Sequence, residues 1–171
     1  MTGWWHRLLP ADRRWVLLSG VLTVLVLAVA VAATVVAVRA GSDDDAERTA
    51  AGTAAAHAVT ELMTFGPGDD AARRAQVREL LTGALAADYA GRGPDVVFSG
   101  AVESKVSMSA RVLDVAVGRL DENRARVLVF VDQSVSVAGD PATDRLPVSR
   151  WATLQRSGGH WRLARLEPVS G

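Results

Sequence analysis

The sequence predicts an α+β protein in which a single N-terminal transmembrane helix precedes helices packed on a curved antiparallel sheet. Three observations support this prediction. An uncharged apolar run fills residues 15–38, apolar residues then recur at helical spacing as far as Pro94, and beyond Pro94 they alternate with polar residues. The chain is therefore divided into a cytoplasmic arm (1–14), a transmembrane helix (15–38), the helical part of an outer domain (39–94) and the sheet of that same domain (95–171).

Composition excludes several classes of function. The 171 residues carry 19 basic and 19 acidic side chains, so the chain lacks the global positive charge with which proteins gather nucleic acid. Cysteine is absent, which rules out thiolate zinc sites, disulfides and cysteine nucleophiles. We expect no cofactor, no metal and no nucleic-acid partner.

The apolar run predicts one membrane crossing. As a helix it is about 36 Å long at about 1.5 Å per residue, enough for a hydrocarbon core of roughly 30 Å. A cleaved signal peptide is the alternative, but its apolar core is usually only about 7–15 residues long. Arginines before the run and acids after it place the N-terminus in the cytoplasm and the C-terminal domain outside the cell membrane. The predicted membrane anchors are Trp4, Trp5, Trp15, Arg13 and Arg14.

Two helical segments are predicted after the span. Ser42 and the acidic residues behind it can cap a helix over roughly residues 43–65, which a Gly-Pro-Gly sequence ends. A second amphipathic segment begins after Asp69-Asp70, has its apolar stripe from Val77 to Tyr89, and is stopped by Gly91-Arg92-Gly93-Pro94. Within this segment, Thr82-Gly83 is the point where the helix can kink or split.

Four antiparallel strands are predicted beyond Pro94. In the first strand the apolar face moves by one residue and takes in Leu113, a slip that a β-bulge explains. The second strand, residues 124–137, has apolar residues on both faces in its middle, so we expect it to be central and covered on both sides. Asp132 on this strand should face solvent or pair with an arginine of an adjacent strand such as Arg150.

The last two strands, residues 146–156 and 160–168, form a hairpin around a Ser-Gly-Gly turn. We expect Trp151 and Trp161 to fill the core. Long strands, a bulge and helices confined to one end of the sequence fit a cone-shaped fold of the NTF2/SnoaL type, in which a curved sheet wraps over helices.

Few side chains are candidates for binding a ligand. Gln133 shares a strand face with Val129 and Val131, so it is either a polar group in an apolar pocket or bonded to the backbone of a neighbouring strand, the favoured alternative. Tyr89 and His57 are the other ligand-binding candidates, and each is also explained as an ordinary packed or half-exposed helical residue. We identify no catalytic residue.

Two segments carry a resemblance to a known family: Arg126–Gln133 (RVLVFVDQ) and Asp144–Val169 (DRLPVSRWATLQRSGGHWRLARLEPV). Together with the short arm, the single span and the Ala-rich first helix, they resemble the Mce-associated membrane proteins of high-GC Gram-positive bacteria. The resemblance implies an accessory, non-enzymatic role beside Mce complexes, which are envelope assemblies that import lipids or sterols.

We therefore expect a non-enzymatic, single-pass membrane accessory protein that binds or stabilises an Mce-type lipid or sterol transport complex. Its expected partners are the lipid bilayer, Mce or transporter subunits and a second copy of the chain in a homodimer. Two alternatives stay open. One is a VirB8-like scaffold component of a secretion channel, and the other is a small NTF2-like module that binds a hydrophobic ligand.

Overall fold

The computed structural model describes residues 44–138, 140 and 145–169. Within these ranges, no helix combines the length and the apolar character needed to cross a membrane. The described residues from Ala46 onward form one compact unit. Outside the described residues lie the predicted span, the helix cap at Ser42 and the predicted anchors Trp4, Trp5, Trp15, Arg13 and Arg14.

Three α-helices precede the sheet in the described part of the chain. Helix α1 is described over residues 44–62, α2 is Ala71–Glu79 and α3 is Gly83–Arg92. The first helix ends earlier than predicted because Phe65 pairs with Met108 of the sheet, exchanging two main-chain hydrogen bonds of 2.9 Å. The second predicted segment is split into α2 and α3.

The split between α2 and α3 has a main-chain cause. The N–H of Thr82 donates to the carbonyl of Leu163 in the last strand, and the N–H of Leu163 donates to the carbonyl of Leu80, each at 2.9 Å. Gly83 then adopts φ +59°, in the left-handed region that favours glycine. These bonds attach the helical layer to one edge of the sheet.

The sheet has four antiparallel strands in sequence order: β1 (Val106–Asp121), β2 (Arg124–Val137), β3 (Leu146–Ser157) and β4 (His160–Pro168). The prediction that the second strand lies inside the sheet is confirmed. The sheet begins later than predicted, because a short 3-10 helix at Gly93–Val96 and a series of hydrogen-bonded turns fill the chain before β1.

Two bulges in β1 keep its apolar side chains on one face. The register with β2 shifts between Val112 and Asp114, and again between Val117 and Arg119. The first shift confirms the predicted bulge. However, Leu113 is itself the extra residue and is 54% exposed, so its predicted place on the apolar face is wrong. The sequence analysis misses the second shift.

The core lies between the helices and the inner face of the sheet. Helix α1 comes close to β1 at Gly52, where an added Cβ would lie 3.3 Å from Cγ2 of Val115. This close approach depends on small residues along the buried face of α1. Fully buried core residues include Ala51, Ala55, Val59 and Leu62 of α1 and Val127, Val129, Val131, Leu154 and Leu163 of the sheet.

No helix of the described part of the chain packs its buried side chains on the outer face of the sheet. Phe130 on β2 is 38% exposed, and Leu128 is half-buried. Trp151 lies on this face too, where its ring contacts the Gly118 position and sits 4.4 Å from the guanidinium of Arg126. The predictions of two-sided cover for β2 and of a core position for Trp151 are therefore wrong, because the buried helical side chains pack on the inner face.

An ion pair ties α1 to β3. Arg156 Nη2 donates to both carboxylate oxygens of Glu47, at 2.7 and 2.5 Å, and its guanidinium lies 5.0 Å from the centre of the Trp161 ring. Trp161 packs against the edge of the core, as predicted. The hydrogen bond from Arg156 lowers the pKa of Glu47 below its ordinary value.

Glu47→Gln should lower the melting temperature at neutral pH, because the variant loses the charged partner of Arg156. The folded pKa of Glu47 is lowered, so its contribution is present above the unfolded carboxyl pKa of about 4.3 and is lost as the pH falls through the folded value. Thermal unfolding followed by circular dichroism at neutral and strongly acidic pH measures the difference. The difference in melting temperature between wild type and variant should be smaller in acid. A difference of equal size at both pH values would contradict this account.

Gly52→Leu should destabilise the domain by about 1–3 kcal/mol, because the new side chain collides with Val115 on β1. Thr53→Leu is the matched control, since it adds the same side chain at an exposed neighbouring position and should change stability by less than about 0.5 kcal/mol. Melting temperatures of the two variants report the difference. Equal shifts would mean that α1 does not approach β1 closely.

Candidate functional site

The three predicted ligand-binding residues lie in different parts of the domain. His57 is exposed on α1 and Tyr89 is buried on α3. Gln133 lies on the inner face of β2, opposite Ala110 of β1 and Leu146 of β3. In the described part of the chain, no hydrogen bond joins any two of the three, and no cluster of three His, Asp or Glu side chains could hold a metal. The structure does not bring the three candidates into one site.

Gln133 carries a buried polar atom. Its Oε1 accepts no hydrogen bond from any described residue, so the favoured bond to neighbouring backbone is not seen among those residues. A buried amide oxygen without a donor costs about 1–3 kcal/mol. A ligand that donates to this oxygen stays a prediction.

One candidate binding surface is the outer sheet face, by which we mean the outward side chains of the four strands. An apolar strip crosses its middle. Leu128 lies between Ala116 of β1 and Trp151 of β3, and Phe130 lies in the adjacent row opposite Ser149. A contiguous exposed apolar strip with polar borders is typical of protein–protein contact surfaces.

A row of arginines borders the apolar strip. Arg119 of β1 lies directly opposite Arg126 of β2, and Thr153 and Arg165 continue the row across β3 and β4. Like charges directly opposite one another destabilise an antiparallel pair. Stacking on Trp151 holds the Arg126 guanidinium in place at the boundary between the arginine row and the strip.

The opposite end of the outer sheet face holds a carboxylate that is already paired. Asp132 accepts hydrogen bonds from Arg111 and Arg145, with N–O distances of 3.5 and 3.4 Å. Pairing with an arginine on an adjacent strand is thus as predicted, but Arg150 is not the partner. Arg150 lies in register with Val129, on the inner face.

A concave surface, which we call the α2–α3 cleft, lies between α2, the end of α3 and the turns that follow. Its volume is about 600 Å³, and Tyr89 forms part of its lining. Burial raises the pKa of the Tyr89 phenol, and the charge of Asp69 adds to this, whereas Arg73 and Arg74 act in the opposite direction. The phenol therefore stays protonated at neutral pH and is a hydrogen-bond donor.

Comparison with known proteins identifies relatives of the chain. It is 31% identical over 116 residues to the outer membrane protein Rv1973 of Mycobacterium tuberculosis, an alignment that covers 68% of this chain and 72% of the relative. The chain belongs to the family of that protein. It is also 30% identical over 128 residues to the uncharacterized protein Rv1362c of the same organism, over 75% of this chain and 58% of the relative. No protein-family model matches the chain.

The fold also has a counterpart among solved structures. An IcmL-like type IV secretion system protein from Legionella pneumophila superposes with a TM-score of 0.51 over 70% of this chain and 91% of that protein. The two sequences are 12% identical, so the likeness shows the fold alone. It confirms the predicted α+β arrangement of helices on an antiparallel sheet.

Tyr89 is the only tyrosine in the sequence, so tyrosinate absorbance reports its titration alone. The midpoint should lie above the ordinary tyrosine pKa of about 10. Arg74→Gln should raise it further, because the variant removes a positive charge that favours the phenolate. Arg48→Gln, on the exposed side of α1, should leave it unchanged. A midpoint that falls in Arg74→Gln would contradict the described surroundings of Tyr89.

Proposed function

We propose that the domain is a non-enzymatic assembly module of a cell-envelope complex, and that the outer sheet face binds its protein partner. The observation that carries the proposal is the strip of Leu128, Phe130 and Trp151 beside the arginine row, which stays partly exposed in the described part of the chain. A partner surface with an apolar centre and an acidic border would complement it, since such interfaces combine a dry apolar core with charged rims.

Two independent observations favour a place in the envelope. A relative in the same family is named an outer membrane protein. The sequence of this chain predicts a single membrane anchor with its N-terminus in the cytoplasm, which leaves the domain on the outer side. The proposed partner is therefore an extracytoplasmic protein or the outer part of a membrane protein.

A scaffold role in a secretion-type channel is the first candidate. The fold is similar to that of an IcmL-like type IV secretion protein. VirB8-like components of such channels also join a short cytoplasmic arm and one span to an NTF2-like outer domain, the architecture that the sequence predicts here.

An accessory role beside an Mce-type lipid or sterol transport complex is the second candidate. The observation that favours it is the resemblance of Arg126–Gln133 and Asp144–Val169 to Mce-associated membrane proteins. In the structure, the first of these segments lies within β2, one of the two inner strands of the described sheet, and it contributes Arg126, Leu128 and Phe130 to the outer sheet face.

Photocrosslinking in intact cells distinguishes the two candidates. A photoreactive residue at Ser149, in the row of Phe130, should form adducts with a partner protein, whereas one at Thr53, on the exposed side of α1, should not. The adducts are identified by mass spectrometry. Secretion-channel subunits in the adducts would support the scaffold role, and Mce or permease subunits would support the accessory role. Equal adducts from both positions, or none from Ser149, would count against the outer sheet face as the docking surface.

Arg126→Glu should reduce the amount of partner that copurifies with the full-length protein by about tenfold or more, because it reverses a charge beside the apolar strip. Arg48→Glu is the matched control, with the same charge reversal at an exposed position on α1. Quantitative mass spectrometry of detergent-solubilised complexes measures the recovery. Similar losses in the two variants would point to net charge rather than to this surface.

A further inference from the structure

One side of the α2–α3 cleft is lined by a face of α2 that is not buried in the core. Ala71, Arg74, Ala75 and Arg78 follow one another at three- and four-residue spacing, so they share one helical face. All four residues are exposed. Two alanines leave room along this face, and the arginines line the cleft at successive turns of the helix.

Positive charge dominates the lining of the cleft. Its lining residues include Arg74, Arg78 and Arg92 but only one acidic residue, Asp95, so their formal charges sum to +2. Oδ1 of Asp95 already accepts the N–H of Val102 at 3.0 Å. The carboxylate is therefore engaged with the main chain of the cleft wall.

The arginines of the cleft are only partly engaged by their neighbours. Arg74 donates to the main-chain carbonyl of Asp69 at 3.0 Å, and Arg92 forms an exposed ion pair with Asp88 at 3.6 Å. Arg78 lies one turn after Arg74, a spacing at which like charges disfavour a helix. Among the described carboxylates, none forms an ion pair with Arg78. An anion between these side chains would relieve this repulsion.

An apolar wall stands beside the charged groups. Val102 lines the cleft and is 64% exposed, and Pro94 and Ala90 are also part of its lining. The cleft therefore combines guanidinium groups with exposed hydrocarbon, a combination that matches a phosphate carrying an apolar group. Its volume of about 600 Å³ is within the range typical of small-molecule sites.

We propose that the α2–α3 cleft binds a phosphate-type anion through Arg74, Arg78 and Arg92, with the hydroxyl of Tyr89 as a further donor. Guanidinium groups suit this chemistry because their fixed N–H forks match phosphate oxygens in bidentate pairs. The phosphate belongs either to a lipid headgroup or to a small soluble molecule. The proposal is independent of the docking role of the outer sheet face, which lies on other residues.

Titration calorimetry of the full-length protein in uncharged maltoside micelles tests the proposal in two arms. The first arm adds inorganic phosphate and pyrophosphate. The second adds mixed micelles that contain phosphatidylglycerol, with phosphatidylcholine as the reference lipid of no net charge. Binding in either arm should weaken as salt is raised, because the attraction is between charges near the surface.

Arg74→Gln combined with Arg78→Gln should weaken the binding at least about tenfold. The double lysine variant at the same positions should retain part of it, because charge remains but the planar fork is lost. The matched control removes two exposed arginines elsewhere, Arg48→Gln with Arg145→Gln, and should change the affinity by less than about twofold. Val102→Asp provides a second test, because it places a negative charge on the exposed wall without altering the arginines. This variant should also weaken the binding of the anion.

The arms identify the source of the phosphate. Arginine-dependent binding of phosphatidylglycerol alone assigns the cleft to a lipid headgroup, and arginine-dependent binding of phosphate or pyrophosphate assigns it to a soluble ligand. The proposal is overturned if the wild type binds in neither arm. It is also overturned if the cleft variants and the control bind alike.

Discussion

The close packing of a small-residue helix face on the inner side of the sheet is the constraint on which the domain depends. Alanines and Gly52 let α1 approach β1 to within contact of Val115. Each fully buried valine opposite this face stabilises the fold by about 1.5–3 kcal/mol. Because the buried helical side chains pack on this side, the outer sheet face has no cover from the described part of the chain.

The proposed functions use two surfaces that the core leaves open in the described part of the chain. The outer sheet face is broad, with an apolar strip next to arginines, and such a surface suits a protein partner. The α2–α3 cleft is concave and lined by three guanidinium groups, and such a surface suits a small anion. One copy of the domain can therefore contact a partner through the sheet and an anionic ligand through its helices.

Sequence periodicity predicted the limits of two strands well because alternation is a local property. It gave the bounds of β2 and β4 and the slip at the first bulge. It failed at Leu113, because alternation does not tell which residue of a slip is the extra one. It failed at Trp151, because alternation groups residues by face without telling which face the helices cover. It also overlooked Arg74 and Arg78, since arginines on an exposed helical face resemble an ordinary solvated surface. Their like-charged spacing of four residues was the available signal.

Labelling of single cysteines in intact cells tests the docking role of the outer sheet face most directly, because the chain has no cysteine of its own. Ser149→Cys on the outer sheet face and Thr53→Cys on α1 would each be treated with a membrane-impermeant maleimide, before and after detergent disruption of the envelope. We expect Thr53→Cys to react in both states and Ser149→Cys to react only after disruption. If Ser149→Cys reacts to the same extent before and after disruption, the claim that a partner covers this face is contradicted.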